Sequence, residues 1–266
     1  MDLHGRRVLV TGASRGIGES LARSFAGAGA KVALAARTEA ALRTLADEIG
    51  GTVHPVDLAD PVQVATFVHR VEDEAGPVDV LVNNAGIDIT KAITDTTEEE
   101  LRRITQVNFV APAELCRQAI PRMLRRGQGH IVNISSLAGV AVFPGLVAYS
   151  STKAALSHFT AGLRADLKKL PIGTTLVELG PIPTDMLEHV DSYEPTSKSF
   201  RRLYRLQLVV DVPREDVARQ VLAAVQRDKK HVRIPKRALA FPLLTEAPRR
   251  TIEILLTGVP PRPKGR

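Results

Sequence analysis

Short runs of β-branched and aliphatic residues recur along this chain, separated by longer stretches whose apolar positions return every three or four residues. The runs fall at 7–10, 31–35, 52–56, 78–82, 130–134, 174–178 and 231–234, and the helical stretches lie near 17–28, 39–49, 61–75, 97–126, 148–168 and 214–227. Continuous apolar strands alternating with amphipathic helices predict an α/β fold: a mostly seven-stranded parallel sheet, doubly wound, with helices on both faces. Several helix ends are legible. Asp60-Pro61 supplies a capping acid and a first-turn proline, and Gly127 and Gly129 stop another helix. No Pro/Gly/Ser-rich linker interrupts the alternation, so residues 1–266 read as a single domain. The pattern breaks only between Gly180 and Pro213, and residues 183–211 are expected to form a substrate lid.

Composition agrees with a packed domain. The 266 residues are 44% hydrophobic, enough for a sizeable core and too much for global disorder. The formal charge is +7, but residues 198–266 hold 17 basic and 6 acidic side chains, so the excess belongs to the last quarter of the chain. Within it, residues 235–266 read as a basic C-terminal extension with interleaved apolar positions. Its plain reading is a solvated positive face; weak peripheral contact with an anionic membrane is a second reading. No recognition motif or aromatic platform accompanies the charge, so a nucleic-acid partner is not expected. The single cysteine, Cys116, fits a small buried apolar residue in a reducing compartment. No secretory signal and no apolar run of about 18 residues is visible. A soluble cytoplasmic protein is the expectation.

The turn after the first strand reads Thr11-Gly12-Ala13-Ser14-Arg15-Gly16-Ile17-Gly18 and runs straight into a helical pattern. Glycines let the backbone approach a pyrophosphate, and the free N–H groups of the helix N-terminus favour its charge. No Lys-Ser/Thr pair follows the last glycine, which excludes a nucleoside-triphosphatase loop. A dinucleotide fold that prefers NAD carries an acid at the end of the second strand; here that place reads Ala35-Ala36-Arg37. Arg37 and Arg15 would instead offer guanidinium groups to a 2′-phosphate, which favours NADP(H) over NAD(H).

Tyr149 and Lys153, four residues apart on a predicted helix, share a face. A tyrosine hydroxyl titrates near pH 10, and a neighbouring ammonium would bring it closer to the range where proton transfer is efficient. With the glycine turn, Asp57-Leu58, Asn83-Asn84-Ala85-Gly86, Asn108, the segment 131–136 and the segment 149–153, the chain from Arg6 to about Met186 resembles the short-chain dehydrogenase/reductase family. The resemblance implies a Rossmann-type fold and an NADP-preferring oxidoreductase interconverting a carbonyl and a secondary alcohol. It implies that Tyr149 exchanges a proton with the substrate oxygen, Ser136 polarises that oxygen, Lys153 holds the nicotinamide ribose, and Asn108 supports a proton-relay water. The resemblance also implies Ser136 rather than Ser135, because its separation of thirteen residues from Tyr149 is the family's usual interval. It also implies cofactor contacts from Gly12, Ser14, Arg15, Gly16, Ile17, Gly18, Arg37, Asp57, Leu58, Asn84, Ala85, Gly86, Tyr149, Lys153, Ile182 and Thr184. One departure is Leu179-Gly180-Pro181, where the family usually has Pro-Gly; the displaced proline would reshape the nicotinamide wall.

The seven histidines show no metal-ligand spacing, so no metal is expected, and no Gly-x-Ser-x-Gly elbow supports a serine hydrolase. Apolar positions at 115–124 and 156–167 suggest core packing, and by resemblance a homodimer or homotetramer. Met186, Leu187, Val190, Tyr193, Phe200, Leu203 and Tyr204 in the expected lid suggest a hydrophobic small-molecule ketone or alcohol as the partner. Two alternatives stand beside this reading. One is a 3-oxoacyl carrier-protein reductase, hinted at by Arg125 and Arg126; the other is a catalytically idle dinucleotide-binding protein on the same fold.

Overall fold

The strands Arg7–Thr11 (β1), Lys31–Ala36 (β2), Thr52–Pro55 (β3), Val80–Asn83 (β4), Gly129–Ser136 (β5), Ile172–Leu179 (β6) and His231–Ile234 (β7) form one sheet. Their order is β3-β2-β1-β4-β5-β6-β7, and all six pairings are parallel. The computed structural model describes residues 1–141, 143–182, 192–205 and 210–235. Helices α1 (Gly16–Gly27), α2 (Glu39–Ile49), α3 (Pro61–Val64), α4 (Phe67–Ala75), α5 (Glu98–Thr105), α6 (Ala111–Arg126), α7 (Val147–Asp166), α8 (Glu194–Arg205) and α9 (Arg214–Gln226) complete the single domain. No helix among the described residues is long and apolar enough to cross a membrane.

The sheet is buried on both faces, which is why its strands read as unbroken apolar runs. Successive residues of β1 divide between two cores. Val8 and Val10 join Phe25 and Val221 on the α1/α9 side, while Leu9 joins Phe67, Leu115 and Ile131 on the α4/α6 side. The winding direction reverses at β1, whose neighbours are β2 and β4. A reversal of this kind opens a crevice beyond the carboxyl ends of the strands.

Three elements differ from the sequence expectation. The helix expected over 61–75 is two helices, α3 and α4. At the break, the side chain of Gln118 on α6 accepts from Val68 N (3.1 Å) and donates to Val64 O (2.7 Å), replacing the lost helical bonds. The helix expected over 97–126 is interrupted by a π-helical turn, Gln106–Val110, which carries Asn108. The break expected between 183 and 211 contains α8. Its buried positions include Thr196 and Ser197, and Phe200 packs against Phe143, so polar and apolar side chains share its inner face and its few apolar residues form no long run in the sequence. The expected tail beyond Pro235 lies outside the described residues.

Candidate active site

A cleft of about 800 Å³ opens at the carboxyl ends of β1, β4, β5 and β6. At one end the chain turns through Gly12 (φ 67°) and Gly16 (φ 61°), left-handed conformations that favour glycine. A Cβ on Gly12 would stand 2.8 Å from Ala85 Cα, so the two loops close on one another only with glycine there. Asn84 fixes the turn, its side-chain amide donating to Thr11 O (2.9 Å) and Gly12 O (3.3 Å). Thr11 Oγ1 in turn accepts from the backbone N–H groups of Asn84 and Ala85. Helix α1 begins without a side-chain cap, and Ser14, Arg15, Gly16 and Ile17 line the cleft. The residue before the helix thus leaves the first turn without a capping side chain, an arrangement that suits an anion at a helix start. Arg37 is exposed at the end of β2 and makes no hydrogen bond or ion pair among the described residues.

The other end gathers Ser136, Tyr149 and Lys153. Strand β5 ends in two serines with different surroundings. Ser135 Oγ is turned to α7, 2.9 Å from Lys153 O and 2.8 Å from Ser157 Oγ; Ser136 Oγ accepts from Ala138 N (3.1 Å) and donates to Leu179 O (3.3 Å). Lys153 is buried, its ammonium donating to Ile134 O (3.0 Å) and standing 5.8 Å from the Tyr149 ring centre. Burial pushes that ammonium down to about 8. The Tyr149 phenol is pushed up to about 12 by burial; a hydrogen bond with Ser136 lowers it, and the Asp88 carboxylate raises it. Burial, rather than the lysine, sets the direction for Tyr149 in this structure.

Asn108 does not line the cleft. From the π-helical turn its side chain accepts from Ile87 N (2.9 Å) and donates to Ile87 O (2.8 Å) and Thr152 Oγ1 (3.1 Å). A Cβ on Gly86 would lie 3.4 Å from Asn108 Oδ1 and 3.3 Å from Lys153 Nζ, so those two polar atoms flank Gly86. The residues expected to hold a cofactor line the cleft, Asp57, Leu58 and Ile182 among them, save Thr184, which lies outside the described residues. The displaced proline has a counterpart in packing. Gly180 donates to Ile234 O at 2.7 Å and a Cβ there would lie 3.0 Å from Pro235, while Pro181 lines the cleft.

The sequence reading missed Asp88, Arg103, Phe143, Leu146 and Arg214, which also line the cleft. Asp88 stands two residues beyond Gly86, and that adjacency was the available signal. Arg103 sits among exposed charged positions of α5 and carried none. Of the two arginines that suggested an acidic carrier, Arg126 is tied to Glu72 (3.1 Å) and Val78 O (2.6 Å). Cys116 is buried, its thiol pushed up to about 12 by burial. Among the described residues no group of three or more potential ligands could hold a metal ion.

Comparison with known proteins places this geometry. A family model described as short chain dehydrogenase matches residues 6–195. Dehydrogenase/reductase SDR family member 7B of Bos taurus is 34% identical over 254 residues, covering 91% of this chain and 77% of that protein. Among solved structures, a short-chain dehydrogenase from Streptomyces avermitilis superposes with a TM-score of 0.81 at 28% identity, covering 98% of this chain and 100% of that one. A metagenomic short-chain oxidoreductase in complex with NADP gives 0.71 at 31% identity, over 88% and 98% of the two chains.

Proposed function

Since the chain belongs to the short-chain dehydrogenase family of oxidoreductases, we propose that it interconverts a ketone and a secondary alcohol with NADP(H) as its cofactor. The observation that carries the proposal is one continuous cleft with an uncapped helix start and exposed arginines at one end and Ser136, Tyr149 and Lys153 at the other. NADPH, when bound, supplies the hydride to the carbonyl carbon. Tyr149, protonated at neutral pH, donates the proton to the carbonyl oxygen. Ser136 holds that oxygen by a hydrogen bond, since its hydroxyl stands free to exchange a weak 3.3 Å bond to Leu179 O for a shorter one. Lys153 anchors the nicotinamide ribose and reloads Tyr149 with a proton, Asn108 supporting a water on that path beside Gly86. The reverse path runs on a secondary alcohol.

Preference for NADP(H) rests on Arg37 with Arg15, and on the absence of a carboxylate at the end of β2. The solved relative that binds NADP supports the same reading. Replacing Arg37 by Ala should weaken NADPH binding by about tenfold or more and leave NADH binding within about twofold, read by cofactor fluorescence titration. Equal losses for both cofactors would contradict the assignment. The proposal includes a homodimer or homotetramer, for which Val110 (42% exposed) and Val147 (47% exposed), near the starts of α6 and α7, are available apolar surface.

A further inference from the structure

Helix α1 follows β1 and helix α9 precedes β7 in the same parallel sheet, so both helices begin at the carboxyl edge of the strands. They pack against one another, with Val221 of α9 and Phe25 of α1 in one core, and the start of α9 stands beside the glycine turn. Arg214 is the first residue of α9 and lines the cleft together with Gly16, Ile17 and Gly18. Its guanidinium reaches across to the first turn of α1. Nη1 lies 3.7 Å from Glu19 Oε2, and Nε donates to Glu215 Oε1 at 3.0 Å. The remaining nitrogen, Nη2, has no partner among the described residues.

Two features of this junction run against helix electrostatics taken alone. A cation on the first residue of α9 opposes the helix dipole, which favours acids there. Glu19 places a carboxylate in the first turn of α1, where it would repel a phosphate. The features offset one another, because Arg23 at 3.0 Å and Arg214 at 3.7 Å both face the Glu19 carboxylate. The 3.7 Å contact is longer than a hydrogen bond and lies at the surface, so giving it up costs little. We propose that Arg214 binds the pyrophosphate of the dinucleotide. The Nη1–Nη2 edge of its guanidinium takes phosphate oxygens from the side of α9 while the start of α1 takes them from the other, since an arginine fork matches a pair of phosphate oxygens. Arg37 and Arg15 then serve the 2′-phosphate, and Arg214 serves the part that NADPH and NADH share. This inference rests on the dinucleotide reading above and adds to it a residue that lies outside the glycine turn and every other motif quoted from the sequence.

The test measures binding alone, on the full chain and on Arg214→Ala, with four ligands: NADPH, NADH, ADP-ribose and adenosine 2′-monophosphate. The reduced dinucleotides are titrated by fluorescence and the other two by displacement. Arg214→Ala should weaken NADPH, NADH and ADP-ribose alike, by about tenfold, and leave adenosine 2′-monophosphate, which has no pyrophosphate, within about twofold. Whichever dinucleotide the wild type binds, that one and ADP-ribose carry the test. A loss confined to NADPH and adenosine 2′-monophosphate would assign Arg214 to the 2′-phosphate and overturn the inference. Unchanged binding of every ligand would overturn it too, leaving Arg214 as a surface partner of Glu19 and Glu215, and so would an equal loss for all four. Wild type that binds neither NADPH nor NADH would overturn both this inference and the dinucleotide reading. Circular dichroism on Arg214→Ala separates lost binding from lost folding, and Arg214→Gln, should the first variant misfold, must show the same pattern across the ligands.

Discussion

Lys153 illustrates how one buried side chain serves two ends. Its ammonium, beside Tyr149 and bonded to Ile134 O, is 4% exposed and carries a pKa pushed down to about 8. A lysine with a folded-state pKa below its unfolded value of about 10.4 binds fewer protons in the native state between those limits, so folding is favoured more as pH rises through that window. Wild type should therefore gain stability relative to Lys153→Met between about pH 8 and 10.4, by up to about 3 kcal/mol, in chemical denaturation of the cofactor-free protein. A constant difference across that range would show that Lys153 is not held against its charge. The residue was legible in the sequence by its spacing from Tyr149. The size of the burial effect was not, because it depends on how α7 packs under the end of β5, and so does the way Ser135 turns to α7 while Ser136 does not.

Among elements, those whose inner face is apolar were readable and those held by polar contacts were not. Helices α1 and α2 and all seven strands lie within a few residues of the apolar pattern, because burying that pattern is what makes them fold. The breaks flanking α4 and α6 depend on Gln118 and Asn108 meeting backbone groups distant in sequence, and no local rule marks them. Helix α8 is held likewise. Thr196 Oγ1 donates to Pro144 O (2.6 Å), the Phe143 and Phe200 rings stack, and Gly145, at φ 81°, gives Tyr193 and Thr196 room that a Cβ would fill. Thr196→Val keeps the shape and removes the bond, a loss of about 1 kcal/mol. If α8 closes over the substrate end, this variant should raise KM for the ketone by a few fold, speed amide exchange in α8, and leave NADPH affinity unchanged. A matching loss of NADPH affinity would show that α8 serves the cofactor end instead.

At the scale of the molecule, the parallel sheet places one crevice where the winding reverses, and the chain brings to it residues from position 12 to position 214. That convergence explains why the site was readable as motifs: each strand end contributes a short segment whose residue types are dictated locally, by a glycine turn, a pinned Asn84, or a tyrosine one turn before a lysine. The parts of the site that escaped, Asp88, Phe143 and Leu146, belong to connecting segments, where chain geometry rather than periodicity decides what faces the cleft. Charge shows the same division. Arg15 and Arg37, in the net-acidic remainder, line the cleft at the glycine turn, and of the basic last quarter Arg214 lines it too.

The central claim, a proton delivered by Tyr149 to a carbonyl reduced by NADPH, is tested most directly by one paired measurement on wild type and Tyr149→Phe. NADPH oxidation is followed with a panel of hydrophobic ketones, and NADPH binding is titrated on the same preparations. Wild type should turn over at least one ketone, and Tyr149→Phe should lose that turnover by about 10²–10⁴-fold while binding NADPH with nearly the same affinity. Retention of turnover in the phenylalanine variant, with the product alcohol formed at the wild-type rate, would contradict the account.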